Sequence, residues 1–236
     1  MMRRALLALA LLTTVTTPAW AQDDADAQAV LDRVASTAAS LQDATFLLTG
    51  RLIDADGTEI ALELESQVVP GERAASVYVL QPDALADNIV VLDGDAVYNY
   101  TFLTNQVTIF DADDPDALGG LVGAGEDGEL DVTFDLEALF AGYRASLVGE
   151  TDTPHGPADV LRLDNLEEAA RIAWVEATVP KATSLPYRLE LYGPDDELIA
   201  ELAFENLRTD VGLTAEEVTY LPEDAEVIDE RASAEP

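Results

Sequence analysis

The chain has no cysteine and only one histidine among its 236 residues. Without cysteine there is no disulfide framework, no thiolate nucleophile and no acceptor for N-terminal lipidation. Basic residues are also scarce, 12 Lys and Arg against 47 Asp and Glu, for a formal charge of −35. Such a balance repels phosphate backbones and anionic headgroups, so it excludes nucleic-acid binding and electrostatic membrane docking. The acid reads as a solvated surface suited to high salt.

Catalytic signatures are missing too. The sequence has no nucleophile elbow, no phosphate-binding glycine loop, no H-E-x-x-H and no zinc spacing. His155 lies in Pro154-His155-Gly156-Pro157, a turn sequence with no partner motif, and reads as a turn residue rather than a general base. Asp111, Asp113, Asp114 and Asp116 are close in sequence but lack the glycine and distal glutamate of a calcium loop, and Pro115 interrupts them. The expectation is a binding protein rather than an enzyme, with no cofactor and no metal.

Long apolar runs are absent except at the start. Met1-Met2-Arg3-Arg4 precedes the apolar run Ala5 to Leu12, and Pro18-Ala19-Trp20-Ala21 ends in a small-x-small pattern. That is the grammar of a secretory signal peptide, residues 1–21, cleaved after Ala21. The run is too short for a stable membrane anchor, so export to the periplasm without membrane insertion is expected. Loss of Arg3 and Arg4 leaves 10 basic against 47 acidic residues, a charge of −37. A folded domain is expected over 22–222 and an acidic flexible tail over 223–236.

Hydrophobic residues make up 48% of the chain, ample for a folded core. Ala29, Val30, Val34, Ala38 and Leu41 recur at helical spacing, behind Asp23, Asp24 and Asp26, which suit the positive end of a helix dipole. Strands follow. Ala44 to Ile53 is closed by Asp54-Ala55-Asp56-Gly57, and Thr58 to Val69 then alternates, with Ile60, Leu62, Leu64 and Val68 on one face and Glu59, Glu63, Glu65 and Gln67 on the other. After Ala74 to Leu80 comes a three-strand meander, Asn88 to Phe110, with Asp93-Gly94-Asp95 as its first turn and Tyr98, Tyr100 and Phe102 two residues apart.

Asp111 to Asp131 reads as a loop with an apolar tip at Leu118, Leu121 and Val122. Phe134, Leu136, Leu139 and Phe140 then fit a short helix started by Thr133 or Asp135. The second half repeats the strand grammar at Tyr143–Gly149, Ala158–Leu163, Ile172–Val179, Pro186–Tyr192 and Glu197–Leu207, with Glu217–Leu221 as a closing strand. The fold class is α+β, mainly β: one large antiparallel sheet of about eleven strands with an N-terminal helix and short lid helices. A sheet of that size curls, and helices lodged in its concave side cover either a core or a ligand cavity.

The run Asp93 to Gln106, DGDAVYNYTFLTNQ, resembles without a gap the D-G-x-x-x-[WY]-x-Y-x-x-x-x-x-Q segment of the periplasmic lipoprotein carrier LolA family. In order around it, the N-terminal helix, Ala44-Thr45-Phe46, the turn at Gly57, Val69-Pro70, Gln81-Pro82-Asp83, Asp135 to Phe140 and Leu185-Pro186 to Asn206 also look like that family. The resemblance implies an incomplete, strongly curved β-barrel whose apolar interior shelters acyl chains of lipoproteins or related lipids on their way to the outer membrane. It implies an inner-membrane releasing complex and an outer-membrane acceptor as partners, and a monomer. Each buried CH₂ stabilises such a complex by about 0.8 kcal/mol, so binding needs no catalysis.

The residues expected to line that cavity are Phe46, Leu48, Leu62, Leu64, Val77, Val79, Val90, Tyr98, Tyr100, Phe102, Leu136, Leu139, Phe140, Trp174, Leu189 and Phe204. One departure stands out. Where the family commonly has an arginine that latches the helical lid before a proline, this chain has Val69 before Pro70, with Arg73 nearby. The alternatives are a sensor or regulatory domain of the same fold and, third, an exported hydrolase.

Overall fold

The computed structural model describes residues 24–54, 56–112, 114, 142–166 and 170–231. The expected helix is α1, Ala25–Ser40. Asp24 starts it, its carboxylate accepting the N–H groups of Asp26 and Ala27 at 3.0 and 3.3 Å beside the positive end of the helix dipole. Ala27, Val30 and Val34 form the buried stripe, at the spacing that puts side chains on one helix face.

Six strands then run up and down: β1 (Ala44–Ile53), β2 (Glu59–Val69), β3 (Ala74–Gln81), β4 (Ile89–Asp93), β5 (Ala96–Thr101) and β6 (Gln106–Asp111). A second meander holds β7 (Tyr143–Thr153), β8 (Gly156–Asn165), β9 (Trp174–Pro180), β10 (Arg188–Tyr192) and β11 (Leu198–Thr209). The two meanders join where β1 pairs with β11, from Ala44 opposite Thr209 to Leu52 opposite Ala200. The result is one curved, unclosed twelve-stranded sheet in the order β12-β6-β5-β4-β3-β2-β1-β11-β10-β9-β8-β7, where β12 is Glu226–Asp229.

The seam depends on Gly50. A Cβ at this position would sit 2.0 Å from the Glu201 carbonyl oxygen of β11, so only glycine lets the two backbones approach this closely. The pairing also shifts register between Thr45 and Leu47, a bulge that turns the sheet at the same place.

Two expectations at the C-terminus are corrected. Glu217–Leu221 is not a strand; Ala215–Val218 forms a short helix, α2, because Thr214 and Glu217 make a capping box that outcompetes a five-residue alternation. The acidic segment after residue 223 is not all tail, since Glu226–Asp229 pairs in parallel with β6 and supplies partners for an edge that would otherwise be bare. The expected leader, the apolar-tipped loop beyond Asp114, and the short helix carrying Leu136, Leu139 and Phe140 lie outside the described residues.

Candidate functional site

Alternation along each strand divides the side chains between the face that carries α1, the inner face, and the outer face. On the inner face one apolar cluster joins Ala27, Val30 and Val34 of α1 to Leu48, Leu64, Val77, Val79, Val90 and Val97 from the first meander. From the second it takes Leu161, Leu163, Val175, Ala177, Val179, Leu189, Leu191, Ala200 and Leu202. Side chains from both meanders join the α1 stripe in this one cluster, as a concave face requires.

Phe46, Leu62 and Phe204 pack against that cluster while remaining partly accessible, and the Phe46 and Phe204 rings lie 5.6 Å apart. Nine of the expected lining residues are therefore together: Phe46, Leu48, Leu62, Leu64, Val77, Val79, Val90, Leu189 and Phe204. Spacing does not single out the α1 stripe or the inner residues of β8 and β9 as lining, although Leu161-Arg162-Leu163 and Val175-Glu176-Ala177-Thr178-Val179 carry a clean apolar alternation.

Four expected residues are elsewhere. Tyr98 and Tyr100 face outward in a second cluster with Ile89, Val91, Ala96, Val107 and Ile109, covered by Leu221 and Ala225. Because β4 is apolar on both faces and the more apolar side of β5 is the outer one, alternation there shows which residues share a face without showing which face is inner. Phe102 begins a 3-10 turn after β5 and is 51% exposed. Trp174 is on the outer face of β9, stacked on Tyr192 at 3.8 Å, with the Arg162 guanidinium 4.0 Å from its centroid. Leu136, Leu139 and Phe140 lie outside the described residues.

Polar groups hold α1 in place over the inner face. Arg33 donates to Asp159 of β8 at 2.6 Å, and Lys181 lies 3.3 Å from the other carboxylate oxygen of Asp159. Asp24 also accepts the Leu147 N–H of β7 at 2.8 Å, and this bond, ahead of those from Ala27 and Asp26, holds its carboxyl below the ordinary value of 3.8. Arg73 plays no part in fastening the helix: it sits in the left-handed region after the 3-10 turn at Pro70–Glu72 and pairs with Asp95.

The outer face over the seam is wet. Arg51 bridges Glu59 and Glu201, and Arg188 bridges Glu190 and Glu201. Tyr192 donates to Glu190 at 2.7 Å, which, with burial, pushes its phenol up to about 12. Burial, with Glu190 nearby, raises the Glu176 carboxyl. An open groove of about 620 Å³ lies beside the bulge at Thr45 and Leu47, but Glu63, Glu65 and Arg208 in its wall suit water better than hydrocarbon. His155 is exposed in the β7–β8 turn, edge-on to Tyr187. Among the described residues no three His, Cys, Asp or Glu gather as a metal site, and no helix is long and apolar enough to cross a membrane.

No protein-family model and no curated protein matches the sequence. Solved structures do. An uncharacterized conserved protein from Thermus thermophilus aligns over 86% of this chain and 99% of its own, with 23% identity and a TM-score of 0.62. MucB aligns over 87% of this chain and 66% of its own, with 20% identity and a TM-score of 0.53. Mycobacterium tuberculosis lipoprotein LppX aligns over 81% of this chain and 99% of its own, at 10% identity and a TM-score of 0.50. The chain shares the fold of these structures. At these identities the likeness concerns the fold: an open sheet with a helix over its concave, apolar face. MucB is also seen in a complex, the MucA/MucB structure of Pseudomonas aeruginosa.

Proposed function

We propose that this protein is an exported, non-enzymatic carrier that holds the acyl chains of lipoproteins or related lipids against the inner face of its LolA-like sheet and moves them through the periplasm toward the outer membrane. The observation that carries this reading is the inner cluster itself. It gathers apolar side chains from nearly the whole width of the sheet under one helix, and Phe46, Leu62 and Phe204 at its margin are still accessible to a ligand. At about 0.8 kcal/mol per buried CH₂, a site extending from these residues would bind acyl chains firmly, and release would come from a site that binds them better. The acidic exterior keeps the loaded carrier soluble and away from anionic membranes.

The test is mass spectrometry of the purified protein for co-purifying lipid or lipoprotein, together with titration by a fluorescent fatty-acyl probe. Bound lipid or saturable probe binding supports the carrier; an empty protein that ignores the probe overturns it. A second reading, an envelope sensor that binds a regulatory partner, draws on the likeness to MucB. It predicts stable capture of a partner protein that lipid modulates.

A further inference from the structure

The last described stretch of the chain crosses the outer face of the first meander. Val218 of α2, with Leu213 and Ala215, packs on Val69 and Ala74; Leu221 and Ala225 then lie against the cluster of Ile89, Val91, Tyr98 and Tyr100; and Glu226–Asp229 ends as β12 on the edge of β6. This strand is unlike the other eleven. Among the described residues it makes the sole parallel pairing in the sheet, it is four residues long, and Glu226, Val227 and Asp229 are exposed, Val227 by 62%.

Main-chain groups of the strap make most of its hydrogen bonds to the edge. The Glu226 N–H donates to the Asn105 carbonyl at 2.9 Å, the Glu230 N–H to the Ile109 carbonyl at 2.9 Å, and the Asn105 side-chain amide to the Asp224 carbonyl at 3.1 Å. Asn105 is held ready for these bonds by a left-handed backbone and by the Tyr100 hydroxyl, which donates to its side-chain oxygen at 3.1 Å. One side-chain hydrogen bond, Gln106 to Glu226 at 3.2 Å, supplements them. Contacts of this kind read an extended backbone rather than a sequence, so another strand can make them.

Charge favours another strand. Residues 223–231 hold Glu223, Asp224, Glu226, Asp229 and Glu230 against a single base, Arg231, and the neighbouring sheet end exposes Asp93, Asp95 and Asp111. The residues opposite β12 are neutral, Gln106, Val107, Thr108 and Ile109, so no ion pair crosses a pairing that buries little apolar surface, the combination that opens at low free energy.

We propose that the edge of β6, with Asn105 as its backbone clamp, is a strand-addition site that the chain's own C-terminal segment occupies in the free protein. The partner it fits is an extended, basic segment of another protein. Displacing β12 frees the main-chain groups of β6 for the incoming strand and brings basic side chains, in place of an acidic segment, to the sheet end that exposes Asp93, Asp95 and Asp111. This is independent of the lipid-binding reading, since it concerns the opposite face.

The full chain tests it with a fluorescein-labelled peptide of alternating Val and Thr flanked by lysines. Ile228→Pro, between the bonded N–H groups of Glu226 and Glu230, should loosen β12 and raise peptide affinity at least about tenfold, because the competent state becomes more populated. The chain has no cysteine, so Gln106→Cys with Glu226→Cys, opposite each other in the pairing, forms one defined cross-link. Oxidation should abolish peptide binding and reduction should restore it, with the peptide's amide footprint on residues 105–111. Equal binding by the native, Ile228→Pro and oxidised forms, a footprint elsewhere, or no binding to the Ile228→Pro protein at about 1 mM peptide overturns the proposal.

Discussion

Arg33 and Asp159, 126 positions apart, meet at 2.6 Å where α1 crosses β8. The pair is asymmetric. The Asp159 side chain is 7% exposed, whereas that of Arg33 is 44% exposed and returns to water easily. Lys181, also near solvent, reaches Asp159 from the other side and Glu150 as well. This is where α1 is fastened in a chain that lacks an arginine at Val69.

Arg33→Met should therefore be mild, about 1 kcal/mol, because Lys181 still neutralises the buried carboxylate. Asp159→Ala should destabilise by about 1–3 kcal/mol, because it removes the acceptor that both cations share. Urea unfolding of the two single variants and the double variant measures the coupling. Additive effects would mean that the two side chains do not hold the helix together.

The seam predicts a steep response at Gly50 and none at Gly71. Gly50→Ala drives a methyl group into the Glu201 carbonyl, and parting β1 from β11 should cost at least about 1–3 kcal/mol. Gly71 has open space around its Cβ position and no positive φ, so Gly71→Ala should stay within about 0.5 kcal/mol. Thermal melts of both variants suffice for the comparison.

The two apolar faces predict opposite outcomes for the same chemical change. Phe46→Asp puts a charge at the margin of the inner cluster and should weaken fatty-acyl probe binding at least about tenfold. Tyr98→Asp strikes the outer cluster and should leave probe affinity within about twofold, while loosening the C-terminal segment that packs on it. Probe titration with circular dichroism as a fold control separates them, and the reverse result would place the ligand on the outer face.

Asp24 makes stability depend on pH in one direction. Its carboxyl is held below 3.8 in the folded protein, first by the Leu147 N–H and then by Ala27 and Asp26, so it binds a proton less readily folded than unfolded. Its contribution is present above the ordinary carboxylate value and is lost as pH falls through the lowered one. The stability difference between the native protein and Asp24→Asn should be constant from pH 7 to about pH 5 and shrink below it. A difference that grows in acid would reverse the sign.

The sequence by itself determined eleven of the twelve strands, the turns, the N-terminal helix and the acidic exterior, because each rests on local rules: alternation, turn residues, capping and charge. It also carried the run Asp93–Gln106 that pointed to a LolA-like fold. Only the tertiary structure decided which face is inner. Swapping the faces leaves a period-2 pattern unchanged, β4 is apolar on both sides and the more apolar side of β5 is the outer one, so Tyr98 and Tyr100 read as cavity residues yet lie under the C-terminal segment. The seam of β1 with β11, the meeting of Arg33 with Asp159 and the parallel strand β12 were likewise invisible. Each depends on which distant backbone arrives alongside, and that is settled by the packing of the whole sheet rather than by any residue's neighbours in the chain.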